Sequence, residues 1–218
     1  MDQKDLLTKI YRQTNSKHEF VRSEAQIAVI HLTGFNGLRF LDVIAYPITL
    51  WQQIKLLEQL KLFGKKEDLS DRIPKWLSSK NETVVVFALR LAAEYQQFAV
   101  KNHVIDCLVH PAKNVRTQAI KTLNALSDET TASMLIGYFS KEDLENQVHI
   151  LNNLVNIATD EQKDFMVALL DSPDHIIKVK AATILANNCT DGIQFIEKKA
   201  LLEPEPFERI LRHVKSVK

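Results

Sequence analysis

Apolar and small side chains recur in pairs four residues apart, and the pairs themselves recur about every thirty residues along the chain. In the segment PAKNVRTQAIKTLNAL (111–126), Val115 and Ala119 form one such pair. Residues four apart lie on the same face of a helix, one turn from each other. The pattern therefore predicts seven similar helices that each bury one face. The pairs are Val21 and Ala25, Leu50 and Ile54, Val84 and Ala88, Val115 and Ala119, Leu144 and Val148, Ile177 and Ala181, and Phe207 and Leu211.

A second apolar series precedes these helices and supports the same repeat. Its members are 31 residues apart: Tyr46, Leu77, Leu108, Phe139, Leu170 and Leu201. Helix-breaking residues follow most of them, for example Pro47, Pro111 and the EPEP segment at 203–206. Each repeat is therefore predicted to be a helix, a short turn and a second helix. The loops SDETT (127–131) and ATDEQ (158–162) are predicted to cap the helices that follow them.

Two helices of this length cannot bury their apolar faces alone, so neighbouring pairs must stack and share a core. We therefore predict an all-α fold, an α-solenoid of about six to seven helical pairs, in a single domain over residues 1–218. The V-R-x-x-A pattern at 21–25 and 115–119 resembles HEAT repeats, including the shorter bacterial HEAT-like kind. Trp51, Val85 and Glu145 occupy the Arg position in other repeats, so no basic ladder is expected.

The resemblance to HEAT repeats implies a right-handed superhelical stack whose second helices line its concave side. The repeat style is typical of bacterial proteins. Arg22 and Arg116, which follow two of the apolar anchors, are expected to bond to neighbouring loops as part of the packing that every repeat must reproduce.

Composition and charge narrow the classes of partner. The 218 residues are 45% hydrophobic and 25% charged, and 28 Lys and Arg against 27 Asp and Glu leave a net charge of +1. This balance provides no global field for nucleic acid or for an anionic membrane. Cys107 and Cys189 lie in apolar helical patterns, which favours buried, reduced thiols in a cytoplasmic protein and leaves a disulfide between them open.

No apolar segment approaches the roughly 18 residues of a membrane helix, and the start MDQKDLLTKIYRQ lacks the apolar core of a signal peptide. We therefore expect a soluble domain. The sequence leaves open whether this domain is the soluble part of a longer chain with a membrane anchor upstream.

Two classes of HEAT-type enzyme offer specific alternatives. The deoxyhypusine hydroxylases bind iron with repeated His-Glu pairs, whereas this chain contains one such pair, His18-Glu19. The HEAT-like alkylpurine DNA glycosylases bind damaged DNA on a basic concave face with aromatic residues and a carboxylate, for which Trp51, Trp76 and Asp71 are candidates. The balanced charge disfavours the second class, because neutralised phosphates supply most of the affinity for DNA. Full or partial burial in the core is the other interpretation of the two tryptophans.

Nucleophilic catalysis has weaker support from the sequence. Cys107 lies at helical spacing from His103 and His110, but a thiol on a mostly buried helix is inert. The chain contains no glycine-rich phosphate loop, no paired-cysteine zinc spacing and no nucleophile elbow. We therefore predict a non-enzymatic protein without catalytic residues, cofactor or metal site.

The residues three positions after the predicted anchors should form an exposed row, because they point away from the shared core. Phe87 is the one aromatic side chain in this row, and Arg90, Glu94 and Lys121 would surround it like the polar rim of a protein interface. If its helix is rotated slightly, Phe87 belongs to the core instead. The predicted protein-binding residues are Phe87, Arg90, Glu94, Gln118, Lys121 and Gln147.

These features together favour a non-enzymatic scaffold or adaptor that presents a concave helical surface to a protein partner. The alternative is a HEAT-like DNA glycosylase or another nucleic-acid-binding solenoid. The first helix, KDLLTKIYRQ (4–13), has no polar cap before it, so its open face could also dock onto a second copy of the chain, a preceding domain or a membrane segment.

Overall fold

Every regular element is a helix within residues 3–63 and 69–217, the ranges that the computed structural model describes. Backbone contacts divide the chain into two compact units, Met1–Leu126 (unit 1) and Ser127–Lys218 (unit 2). No helix in the described ranges is long and apolar enough to cross a membrane. The described helices follow one another as seven pairs, so the protein is an all-α helical-repeat solenoid, as the sequence predicts.

Unit 1 contains four of these pairs. Its second helices are regular: α2 (Glu19–Thr33), α3 (Leu50–Phe63), α5 (Glu82–Glu94) and α7 (Lys113–Ala125). Its first elements are shorter or wound as 3-10 helix: α1 (Gln3–Gln13), a 3-10 segment (Gly34–Asp42), α4 (Ile73–Leu77), and α6 (Lys101–Asp106) between 3-10 turns at Phe98–Val100 and Cys107–Val109. Each second helix packs against its own first element, and α2 also packs against α3 as α5 does against α7.

Unit 2 contains the remaining three pairs. They are α8 (Thr131–Phe139) with α9 (Leu144–Ile157), α10 (Lys163–Leu169) with α11 (His175–Asn188), and α12 (Gly192–Leu202) with α13 (Pro204–Val217, bent at Glu205). A 3-10 turn at Asp160–Gln162 leads into α10. The cap predicted at ATDEQ is confirmed, because the Thr159 hydroxyl accepts a hydrogen bond from Glu161 N (3.3 Å). At SDETT, Asp128 accepts a hydrogen bond from Thr130 N (3.0 Å), which precedes α8, and no side chain caps α8 itself, so that prediction is wrong.

The buried face of the first six second helices begins at a residue that recurs every 30 to 32 positions. These anchors are Arg22, Gln52, Val84, Val115, Asn146 and Ile177. The predicted register is therefore correct in α5, α7 and α11 but one or two positions too early in α2, α3 and α9. The residues predicted as anchors there, Val21, Leu50 and Leu144, are 40%, 56% and 43% exposed.

Polar side chains at the true anchors explain this shift. Gln52 Nε2 donates to Ser23 O (3.1 Å) and to Gln26 Oε1 (3.3 Å), and Asn146 Nδ2 donates to Glu142 Oε2 (2.8 Å). Burying an amide is tolerable when it finds such partners. A register found by counting apolar residues therefore misses these positions.

The arginines of the V-R-x-x-A pattern bond to the turns that precede their helices. Arg22 Nη1 donates to Ser16 O (2.7 Å), and Arg116 Nη1 donates to His110 O (3.0 Å), in each case six residues back along the chain. The guanidinium of Arg22 also lies over the ring of Tyr46, 4.6 Å from its centroid. The prediction that these arginines bind neighbouring loops is confirmed.

The second apolar series is buried at Leu77, Leu108, Phe139 and Leu170, and Tyr46 is half-buried. Leu201 is different, because it is 85% exposed. Helix α12 buries Gly192 and Ile196, and a residue five positions after Ile196 is rotated by about 140° from it. The prediction that Leu201 packs in the core is therefore wrong.

Candidate functional site

The second helices of unit 1 share one exposed side, which runs along positions one before, two after and six after each anchor. We call it the second-helix face and define it by Trp51, Ile54 and Glu58 of α3, Val86 and Arg90 of α5, and Lys121 of α7. The core residues of these helices lie on the opposite side, at the anchors and four positions after them.

Polar contacts at both ends align α3 with α5. Near their N-termini, Ile48 N, just before α3, donates to the Thr83 hydroxyl (2.8 Å). Near their C-termini, Lys61 Nζ lies 2.7 Å from Glu94 Oε1. Equivalent positions of the two helices are therefore at similar heights.

The same alignment continues to α7, where the Thr122 hydroxyl donates to Leu89 O of α5 (2.9 Å). Thr122 is seven positions after its anchor and Leu89 is five positions after its own. Arg90 and Lys121, both six positions after their anchors, therefore occupy equivalent places on adjacent helices.

The apolar part of the second-helix face lies on α3. Trp51 is 61% exposed and Ile54 is 44% exposed, although both are large apolar side chains. Lys55 Nζ lies 5.6 Å from the centroid of the Trp51 ring and 3.2 Å from Glu58 Oε2. An exposed tryptophan beside charged groups combines a large contact area with a polar border, which is the composition of protein-binding surfaces.

Arg90 is the cationic centre of the face and has an unusual environment. The side chain is half-buried, its Nε is shielded from solvent, and no described residue accepts a hydrogen bond from that nitrogen. Burial lowers the pKa of the guanidinium from its ordinary value, but the group stays charged because that value is so high. A half-buried cation without a partner is costly, because desolvation is not repaid by an ion pair.

The structure contradicts the prediction at Phe87. Its side chain is fully buried, because α5 packs against both α4 and α7 and is apolar over most of its circumference. Phe87 is therefore a core residue and cannot serve as an exposed anchor for a partner.

Gln118 and Gln147 also differ from the exposed row that the sequence predicts. Gln118 is 9% exposed, with its amide nitrogen 3.5 Å from the Thr122 hydroxyl. Gln147 is half-buried in unit 2, where its amide donates to Phe139 O (3.2 Å) and Glu142 O (3.0 Å) and so ties the start of α9 to the preceding turn. Both side chains are committed to intramolecular contacts.

The other three predicted residues lie on exposed surface of unit 1. Glu94 and Lys121 are exposed and Arg90 is half-exposed, on α5 and α7. Glu94 forms the ion pair with Lys61 described above. The structure thus brings Arg90 and Lys121 to one surface, and their role in binding stays a prediction.

Trp51 and Ile54 are the members of the face that sequence reasoning missed as binding residues. The expectation of a buried Trp51 is wrong, because the true anchor of α3 is Gln52 and Trp51 lies one position before it. The sequence of α3 offered no signal for this orientation, because Gln52 and Gln53 are buried only through contacts in the folded structure.

The residues that the sequence suggests for DNA repair lie in different environments. Trp76 is 2% exposed in the core, and its indole nitrogen donates to Asp42 Oδ1 (2.8 Å), so the expectation of a buried tryptophan is confirmed at this position. Asp71 is exposed at the turn before α4.

The residues considered for metal binding and nucleophilic catalysis are also separated. His18 and Glu19 are exposed, and the described residues hold no group of three or more His, Cys, Asp or Glu side chains placed to bind a metal ion. Both cysteines are free thiols; Cys107 is buried as predicted, whereas Cys189 is half-buried. Burial raises the pKa of Cys107 to about 11, which suppresses the nucleophilic thiolate at neutral pH.

No protein-family model matches the sequence, and no curated protein is similar to it. Among solved structures, the chain is similar to the crystal structure of an engineered protein, with 19% identity and a TM-score of 0.51 over 99% of this chain and 98% of that one. It is also similar to a designed armadillo repeat protein, with 17% identity and a TM-score of 0.48 over 96% of this chain and 97% of that one. The first similarity agrees with the helical-repeat solenoid described above and extends to the fold alone.

Proposed function

We propose that this protein is a non-enzymatic scaffold or adaptor of the HEAT type that binds a protein partner through the second-helix face of unit 1. The observation that carries the proposal is the 61% exposure of Trp51, with Ile54 also exposed on the same side of α3. Tryptophan and arginine are the residues most enriched among those that dominate binding energy at protein interfaces. The HEAT assignment is supported by the V-R-x-x-A arginines and their bonds to the preceding turns.

A repeat stack is suited to such a role, because its second helices can present a continuous surface without any change of fold. In this proposal they line the concave side of the stack. Three further statements stay predictions. They are that residues 1–218 form one domain, that the protein is cytoplasmic and that it comes from a bacterium.

Affinity capture from cells of the source organism, followed by mass spectrometry, tests the proposal with two matched variants. Trp51→Ala removes the exposed aromatic of the second-helix face. Phe98→Ala removes an aromatic that is 55% exposed elsewhere in unit 1, and serves as the control. We expect the same proteins to be retained by the wild type and by Phe98→Ala, and to be lost with Trp51→Ala while the thermal midpoint is unchanged.

Retention of the same proteins by Trp51→Ala would exclude this face as the binding surface. Capture of nucleic acid in place of protein would instead support the DNA-binding alternative.

A further inference from the structure

We infer that the second-helix face recognises an acidic protein segment, in which an aspartate or glutamate carboxylate binds the Arg90 guanidinium and a nearby apolar side chain lies against Trp51 and Ile54. This inference rests on the proposed function and specifies the chemistry of the partner.

The first step is the unmet bonding capacity of Arg90. Its shielded Nε lacks an acceptor among the described residues, and no ion pair there joins Arg90 to a carboxylate. The shielded Nε cannot be reached from outside, so a ligand can bind only the two terminal nitrogens of the guanidinium, which are not shielded in this way. A carboxylate fits this outer edge with two parallel hydrogen bonds, a geometry that arginine favours.

The second step is that the carboxylates of α3 and α5 nearest to Arg90, Glu58 and Glu94, are already paired, while the exposed Glu24 lies on α2, which packs against α3. Glu58 lies 3.2 Å from Lys55 Nζ, and Glu94 lies 2.7 Å from Lys61 Nζ. Arg90 and Lys121, on adjacent helices, therefore carry the positive charge of this surface. An acidic group from outside the chain is the ligand that complements them.

The third step is the choice of a protein carboxylate over a nucleic-acid phosphate. Phosphate backbones are bound by many cations, each of which releases counterions, and the chain as a whole has a net charge of +1. The face has two cations beside an exposed apolar patch of Trp51 and Ile54. That combination suits one carboxylate and one apolar side chain.

The spacing of the face also limits the sequence of the segment. Val86 lies one helical turn, about 6 Å, before Arg90, and Ile54, at the position equivalent to Val86 on α3, is farther from Arg90 than Val86 is. An extended chain covers about 3.3 Å per residue. We therefore expect the apolar and acidic residues of the partner to be at least about two positions apart.

Selection of a random phage-displayed peptide library on the full chain tests this inference, with synthetic peptides then measured by fluorescence polarisation. We expect the enriched peptides to combine an apolar residue with Asp or Glu at this spacing. The peptides are acetylated and amidated, so that a terminal carboxylate cannot supply the charge. Replacing the acidic residue by its amide should weaken binding to the wild type by about tenfold or more, the value of a charge-assisted hydrogen bond.

The decisive comparison is a double-mutant cycle with Arg90→Gln. This variant should bind the acidic peptide at least about tenfold more weakly, and it should no longer distinguish the acidic peptide from its amide analogue. Arg39→Gln, at an exposed arginine elsewhere in unit 1, should behave as the wild type. Arg90→Gln should also leave the thermal midpoint within about 2 °C of the wild type, because it removes an unpaired charge.

The outcomes separate this inference from the proposed function. Enriched peptides without acidic residues, equal loss of binding for both peptides in Arg90→Gln, displacement of the peptide by short duplex DNA, or no enriched peptide would each overturn the inference. A protein partner captured in a Trp51-dependent manner would still support the proposed function in those cases.

Discussion

Arg90 and Phe87 are three positions apart on α5, and the structure gives them opposite roles. Phe87 is fully buried, whereas Arg90 extends its guanidinium towards the surface with its Nε unbonded by the described residues. A rotation of 100° per residue separates side chains three apart by about 60° in projection. At the boundary of a buried face, that difference decides whether a side chain contributes to stability or to binding.

Phe87→Ala is expected to lower the free energy of unfolding by about 3–5 kcal/mol, because it removes an aromatic side chain from a packed core and leaves a cavity. Thermal or urea unfolding measures this change. Trp51→Ala is the matched control and should change stability by less than about 0.5 kcal/mol, since Trp51 is 61% exposed. A stable Phe87→Ala variant would contradict the burial of Phe87.

At the scale of the elements, the pairs of helices depend on close approach at particular glycines. A Cβ atom added at Gly192 would lie only 1.9 Å from Leu185 O, where the start of α12 meets the backbone of α11. A Cβ at Gly37 would lie 2.8 Å from the Ile30 backbone, where the 3-10 segment meets α2. Backbone atoms cannot move aside as a flexible side chain can, so these positions require the absence of a side chain.

Gly192→Ala is therefore expected to destabilise unit 2 strongly, whereas Gly137→Ala should be neutral or stabilising. A Cβ at Gly137, inside α8, meets no atom within 4 Å, and replacing an interior helical glycine by alanine contributes about 0.5–1 kcal/mol. Circular dichroism during thermal unfolding measures both variants. Similar midpoints for the two would show that α11 and α12 do not approach as closely as described.

The order of helices and turns could be predicted from the sequence more fully than the register of each helix, that is, which of its residues face the core. The alternation of helices and turns follows from local chemistry, namely the breakers at Pro47 and Pro111 and the capping residues before α9 and α10. The register of α3 was not accessible in the same way, because the amide of Gln52 is buried against Ser23 and Gln26 of α2. A local pattern cannot indicate that a distant carbonyl will accept the bond of a buried amide.

At the scale of the whole molecule, the described contacts form two compact units that meet in sequence at Leu126 and Ser127. The sequence predicts a single domain over 1–218. Both tryptophans of the chain, Trp51 and Trp76, belong to unit 1, so their fluorescence reports the unfolding of that unit.

A single domain is expected to unfold in one transition, with the same urea midpoint from tryptophan fluorescence and from far-ultraviolet circular dichroism, which reports all helices. The reason for this expectation is that each repeat of a stack is stabilised by its contacts with the adjacent repeats. A second transition seen by circular dichroism alone would show that residues 127–218 unfold independently, and the single-domain prediction would then be wrong.

The sequence by itself determined the helical pairs, their period near 31 residues and the all-α solenoid, because these depend on the spacing of apolar residues and on turn chemistry close in the chain. Only the tertiary structure decided which side of α2, α3 and α9 is exposed. That choice depends on polar residues such as Gln52 and Asn146, which are buried through hydrogen bonds to other residues, and in α3 it leaves Trp51 exposed. Phe87 is buried for another reason, because α5 packs against both α4 and α7. Burial is a property of packed elements, so a pattern along one helix does not determine it.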